Sequence, residues 1–472
     1  MRAAGNGRHL APPGPLQDPE ARRQEWRAWY FYDWANSAFL TTVAAVLLGP
    51  YVTAMAERAA CGFVATAERK CTHSISVLGV DVAPGSLWLY SVALTTFLAA
   101  VLLPLVGAVI DRRGHKRVTL AALAWTGSGA TCLLLFTGGS GWPVVVGLAM
   151  VAAMCAGGAT VAYNAILNDI AGPADRDGVS SRGWALGYLG AGVLLVVNIV
   201  YLAVAEFRGM EMEAAARVCF VTAGLWWGGW TLVPFLQLSD RPRIAADHDS
   251  RGLVRDSFAS LAGLVRDLAR FPETVRFLAA YIFFNAGIQV VLASGSVYAT
   301  RELGHPQTLV IAALICVQFV AAPGALLLGR LADRQGAKRV VLGSLVVWAL
   351  VTAGAAVVPA GDAVSYIALA ATIGLVVGGS QALARSMYSR LIPVGREAEF
   401  FGLYQTADRG TSWIGTLMFG VVFQVTGDYR LAMASTAGTF VVGFLLLARV
   451  DLDQGARAVL AAAPLGPRPP SG

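Results

Sequence analysis

Long apolar runs separated by short polar loops set the rhythm of this chain. They cover 29–56, 85–111, 118–137, 142–166, 183–205 and 217–238, and then, beyond a wider polar gap, 276–298, 307–332, 339–359, 363–391, 401–425 and 430–450. Each is close to the ~20 residues that carry a helix across a bilayer. With no water to satisfy the backbone there, such a run must close its own hydrogen bonds as a helix. The pattern predicts an all-α membrane protein of twelve transmembrane helices, six in an N-terminal bundle over 29–238 and six in a C-terminal bundle over 276–450. The flanking segments 1–28 and 451–472 read as cytoplasmic tails, the first of them disordered, and 239–275 as a cytoplasmic linker. In that linker Val254, Phe258, Leu261, Val265 and Leu268 fall on one helical face among Arg251, Arg255, Arg266 and Arg270. That is the pattern of an amphipathic helix on an anionic inner leaflet, as a regulatory dock or as a passive connection.

Composition supports the membrane reading: 56% of residues are hydrophobic and 14% charged, against roughly 25% charged in soluble domains. A formal charge of +7 suggests nucleic acid elsewhere, but here the basic residues sit in short loops between apolar runs. With the N-terminus inside, Arg58, Arg69, Lys70, Arg208, Arg217, Arg301 and Arg430 lie outside and the rest of the 36 Lys and Arg lie toward the inside. This satisfies the positive-inside rule and puts both termini in the cytoplasm. Cys132, Cys155, Cys219 and Cys316 fall within apolar runs, where cysteine acts as a small hydrophobe. Cys61 and Cys71 share a hydrophilic outer loop where a disulfide can persist, although spacing alone leaves a bridge and two free thiols equally open. The five histidines are scattered, so no metal site is expected, and no Gly-Lys-[Ser/Thr] phosphate loop calls for ATP. No nucleophile and base come together either. The chain reads as no enzyme, needing no cofactor and driven by gradients.

One segment occurs twice. GAVIDRRGHKR at 107–117 returns as GRLADRQGAKR at 329–339, with Gly107, Asp111, Arg112, Gly114, Lys116 and Arg117 matched by Gly329, Asp333, Arg334, Gly336, Lys338 and Arg339. Both copies close the second helix of a six-helix set. Tyr32 and Asn36 likewise pair with Tyr281 and Asn285, and Pro173 with Pro393, so the halves are duplicates. The glycine permits close helix approach, and the aspartate at a helix end suits pairing with an arginine across the loop, a lock for one face of a rocking carrier.

The repeated loop resembles the signature of the major facilitator superfamily, complete in both halves. YDWANSAF (32–39), YNAILNDIA (163–171), VSSRGWALGYLGAG (179–192) and FFGLY (400–404) resemble, more narrowly, the autophagy-linked vacuolar amino-acid effluxer family and its bacterial relatives. The likeness runs from Trp26 to about Arg449. It implies a major-facilitator fold and efflux of amino acids or similar metabolites; an exporter of drugs or sugars and a non-transporting scaffold or receptor are the alternatives. The Ala, Gly, Val and Arg bias and short loops suggest a bacterial inner membrane. Three positions depart from the family pattern: Ala286 follows Asn285 where relatives carry an aspartate, Asn168 stands where a proline is common, and Asp408–Arg409 replaces Gly-Lys.

Ionisable groups inside a bilayer are costly and mark function. Asp33 and Asn36 share a face of the first helix, with Asp33 either facing the pathway or pairing with Arg27 at the inner surface. Gln405, Asp408 and Arg409 stripe the eleventh helix, and Arg385, one turn after Gln381 in the tenth, is the expected partner of Asp408, as a gating pair or as a proton or substrate site. Asn285 and Gln289, one turn apart, suit either a zwitterion or helix-to-helix bonding. Asn164 and Tyr188 complete the set. The expected machine is a monomeric alternating-access carrier in the lipid bilayer, moving a small solute with protons carried on Asp33 or Asp408.

Overall fold

The computed structural model describes residues 18–241 and 268–462, apart from 66–68, 70, 78 and 411. The amphipathic linker helix expected from Arg251 to Arg270 lies almost wholly outside the described residues.

The first span is one continuous helix. It runs as α1 (Pro19–Ala38), a π-helical stretch Phe39–Leu47, and α2 (Leu48–Cys61). The N-terminal bundle continues with α3 (Pro84–Arg113), α4 (Lys116–Leu133), α5 (Trp142–Ile170), α6 (Arg176–Phe207), α7 (Met212–Trp230) and the short α8 (Leu232–Gln237). The C-terminal bundle holds α9 (Pro272–Arg301), α10 (Gln307–Gln335), α11 (Ala337–Ala355), α12 (Ala363–Ser389), α13 (Glu397–Gly410), α14 (Ser412–Thr426), α15 (Tyr429–Ser435) and α16 (Ala437–Ala448), followed by α17 (Leu452–Ala461). Helix starts carry proline or capping aspartate: Pro19, Pro84 and Pro272 open helices, and Asp362 accepts the amides of Val364 and Ser365 at 3.0 and 3.2 Å.

Eleven of the described helical segments are long and apolar enough to span a bilayer. The twelfth expected span, 401–425, is divided between α13 and α14, where Gln405, Asp408 and Arg409 dilute the apolar run. Helix also covers residues 19–28 and 452–461, which were expected as tails. Polar residues at 19–28 read as loop when weighed by hydropathy alone, yet they have partners: Glu25 pairs with Arg241 at 2.6 Å and the Trp26 indole donates to Ile170 O at 2.9 Å. At the other terminus Asp451 caps α17, and its own amide donates to Glu273 at 2.7 Å.

One face of the molecule holds both repeated loops, and the other holds the Cys61–Cys71 loop. The two cysteines are joined as a disulfide with Cα atoms 5.8 Å apart, next to a hairpin pairing Ile75–Val77 with Val80–Val82.

Two seams join the bundles, α3 against α13 and α6 against α10 and α12. The repeated glycines sit in these seams. A Cβ on Gly107 would stand 2.2 Å from the Ala398 carbonyl oxygen, and one on Gly329 would stand 2.6 Å from the Ser181 Cβ. Gly107→Val therefore forces α3 off α13 at an overpacking cost of about 1–3 kcal/mol. Thermal unfolding in detergent should show a clear drop for Gly107→Val and none for Gly343→Ala, whose added methyl meets nothing within 4 Å.

Candidate functional site

Tyr163 and Asn164 on α5, Asp33 on α1, Ser180 on α6 and Arg385 on α12 converge where the bundles meet. The Tyr163 hydroxyl donates to Asp33 Oδ2 at 2.7 Å, and Arg385 Nη2 reaches the same oxygen at 3.4 Å. Arg385 also donates through Nε to Ser180 Oγ at 2.9 Å, through Nη2 to Ser180 O at 3.1 Å and through Nη1 to Asn164 Oδ1 at 3.3 Å. Its guanidinium lies 4.8 Å from the Trp29 ring and 5.5 Å from that of Trp184. With 4% of its side chain exposed, this arginine has traded water for one carboxylate, neutral acceptors and aromatic faces.

Arg385 was expected to meet Asp408 within the C-terminal bundle; it crosses to Asp33 in the other bundle instead. Nor does Asp33 pair with Arg27, which lines a cavity at the loop face. Sequence shows neighbours along a helix, and these partners come from a different helix.

Asp408 is held inside its own bundle. Its Oδ1 accepts from Tyr281 Oη at 2.9 Å and Asn285 Nδ2 at 2.9 Å, and Gln289 reaches the same carboxylate. Gln381 Nε2 donates to Asn285 Oδ1 at 2.8 Å, and Tyr281 stacks on Tyr404 at 4.4 Å. The next residue, Arg409, turns the other way, toward Gly157 on α5, and donates to Gln405 at 3.4 Å. Tyr188 lies against Gly378 where α6 meets α12. Asn36 is buried on α1, with its Oδ1 lacking a partner among the described residues. Asp33 in one bundle and Asp408 in the other are thus held differently.

At the loop face, Asp111 accepts the amides of Ala398 and Glu399 at 3.1 and 2.8 Å, so the carboxylate caps the start of α13 where a loop arginine was expected. Unpaired amides and the helix dipole make that end favourable for a negative charge. Lys116 pairs with Asp169 at 2.8 Å, and Arg117 donates to the carbonyls of Phe235 and Leu238. In the second copy Lys338 donates to Ala448 O and Val450 O, while Asp333 and Gly336 line the cavity. Arg112, Gly114, Arg334 and Arg339 keep their places at the helix ends.

Reasoning from sequence passed over Asp177, Ser180, Ser386 and Arg390. Asp177 accepts from Ser386 Oγ at 2.5 Å and Arg390 Nη2 at 2.5 Å, and Ser180 Oγ donates to Ala382 O at 2.7 Å. The helical spacing of Asp177 and Ser180 is the signal for them, and it falls outside the apolar run at 183–205 because the helix starts seven residues earlier, at Arg176. Beside these bonds a cavity of about 940 Å³ opens on the loop face, lined in part by Trp26, Tyr30, Asp177, Arg182, Asp333 and Arg390.

Two duplicated bundles meeting across a buried polar layer, with one loop repeated at one end, define a transporter of the major facilitator type. Comparison of folds agrees: the chain matches the human organic anion transporter MFSD10 with a TM-score of 0.65 at 13% identity, over 91% of this chain and 100% of that one. It matches the E. coli fucose:proton symporter with a TM-score of 0.64 at 12% identity, over 92% and 99%. Within that class, the vacuole effluxer Atg22-like family matches residues 21–460, and the chain belongs to it. It is 29% identical to the uncharacterized MFS-type transporter YxiO of Bacillus subtilis (strain 168), over 90% of this chain and 94% of that protein. Autophagy-related protein 22-1 of Neosartorya fischeri is 22% identical over 96% and 93%.

Removing one member of a buried ion pair costs about 3 kcal/mol because the remaining charge loses its partner. Arg385→Gln should lower the unfolding midpoint markedly, and adding Asp33→Asn should recover part of the loss. A double-mutant cycle in thermal unfolding that shows purely additive effects would rule out the pairing.

Proposed function

We propose that this protein exports amino acids or closely related zwitterionic metabolites by alternating access, coupled to protons, from the cytoplasm across a bacterial inner membrane, with both termini cytoplasmic and a monomer as the working unit. The buried Asp33–Arg385 contact between the bundles carries this reading. A zwitterion brings one carboxylate and one ammonium. Its carboxylate is a substitute for Asp33 at Arg385, and its ammonium is a substitute for Arg385 at Asp33. Binding thus breaks a contact between the bundles without leaving either charge buried and alone. A neutral sugar leaves the pair intact. Membership in a family described as vacuole effluxers supports efflux as the kind of transport.

Asp408, next to Arg409 in the chain, takes its hydrogen bonds from neutral donors of its own bundle. Protonation there alters the hold on α9 without touching the seam, which suits a proton site separate from the solute site. Asp111 and Asp177, the latter through Ser386 and Arg390, bind the bundles together at the loop face and form the closed gate on that side.

Proteoliposomes loaded with radiolabelled amino acids, sugars or drugs and given a pH gradient test the reading. Amino acids should move and sugars should not. Asp33→Asn and Asp408→Asn should each abolish accumulation against a gradient, with exchange retained in the Asp408 variant. Gradient-driven transport unchanged in both variants would end the proton-coupling assignment, and transport of sugars or drugs alone would end the assignment of solute.

A further inference from the structure

The loop-face cavity breaks the symmetry of the duplicated halves. In the first half the repeated aspartate, Asp111, gives both oxygens to the start of α13 and seals its seam. Its counterpart Asp333 lines the cavity instead, beside the start of α6. The cavity wall carries four arginines, among them Arg182 and Arg390, and three aspartates, Asp175, Asp177 and Asp333. At about 940 Å³ it exceeds what a single small metabolite fills and is within the range of ligand pockets. Both signs of charge face the same space, a lining suited to a solute carrying both.

The wall of the cavity is also the seam. Asp177 holds Ser386 of α12 and Arg390, the residue that ends it, at 2.5 Å each. Ser180, one turn further along α6, bonds Ala382 and Arg385. Arg385 then contacts Asp33, one turn beyond the cavity-lining Tyr30 on α1. This ladder of side chains lies between the cavity and the buried pair, beside Arg176 and Asn168, which donate to the Ser389 carbonyl at 2.8 and 3.2 Å; its first rung, Asp177, lines the cavity while itself 5% exposed.

We propose that the cavity is a loading site for a solute with a carboxylate and an amine, and that Asp177 is the latch between it and the Asp33–Arg385 layer. The solute's ammonium competes with Arg390 for Asp177, and its carboxylate binds Arg390 and Arg182. The released α12 then moves away from α6, and the solute passes to Asp33 and Arg385. The loading side is the loop face, through the α6–α12 seam, while the α3–α13 seam stays shut by Asp111. The proposal rests on the transport reading above, but the latch can be tested without any solute.

Ser180→Cys places a thiol behind the latch, at a position fully buried in the wild type. In inside-out vesicles sulfonatoethyl methanethiosulfonate, which forms a disulfide to its sulfonatoethylthio group and releases methanesulfinate, should label it slowly, and Asp177→Asn should speed labelling about ten-fold or more, the gain expected on losing a charge-assisted hydrogen bond. Arg390→Gln breaks the same rung from α12 and should do likewise, so a folding failure in one variant leaves the other to decide. No acceleration in either overturns the latch. Gly178→Cys lies in the cavity wall, where an added side chain meets nothing within 4 Å. A mixture of the twenty amino acids at millimolar concentration should slow its labelling, and the attached sulfonate should block transport. Transport of amino acids that continues unchanged in the labelled protein overturns the loading site but leaves the transport reading standing. Failure of the unmodified protein to transport them overturns that reading, with the Ser180→Cys result still deciding the latch.

Discussion

The charge of Arg385 constrains the rest of the structure most. A guanidinium at membrane depth is tolerated only where oxygens and aromatic faces surround it, and one bundle does not supply enough of them. The arginine belongs to the C-terminal bundle, yet Asp33, Asn164 and Ser180 all come from the N-terminal one. Its need for partners becomes a force holding the halves together. Because that force is local and polar, a solute of matching charge can replace it.

The glycines make such contact possible. Polar bonds across a seam form only if the helix axes approach closely, and Gly107 and Gly329 bring α3 to α13 and α10 to α6. The residues around Arg385 and Asp177 then work over short distances, where each bond is strong enough to hold and single enough to release. Asp408, anchored within one bundle by Tyr281 and Asn285, lies outside this cross-bundle ladder. Two buried carboxylates in one protein can therefore have separate tasks, one at the moving boundary and one within a rigid half.

Duplication gave the halves the same helices but not the same contacts. The repeated aspartates keep equivalent places, and Asp111 caps a helix while Asp333 faces open space. The difference arises in what each aspartate meets: α13 presents free amides to Asp111, whereas the start of α6 carries Asp177, whose own charge is already committed to α12.

Hydropathy determined the helix count within one broken span and the two-bundle division, because a bilayer demands some twenty apolar residues in a row, and the repeat was visible as matching residues in the text of the chain. It also picked out Asp33, Arg385, Asp408, Asn285 and Gln381 as costly residues that must have partners. Which partner each takes was decided by tertiary structure alone. Arg385 and Asp408 lie close in sequence terms within one half, while Arg385 and Asp33 stand at opposite ends of the chain and meet only because two seams fold them together. The helical starts at Pro19 and Leu452 were hidden for a related reason: polar residues look like tails until the ion pairs and caps that neutralise them, Glu25 with Arg241 and Asp451 with the start of α17, are brought into range. Burial is encoded residue by residue, but pairing across helices depends on geometry that no local pattern contains.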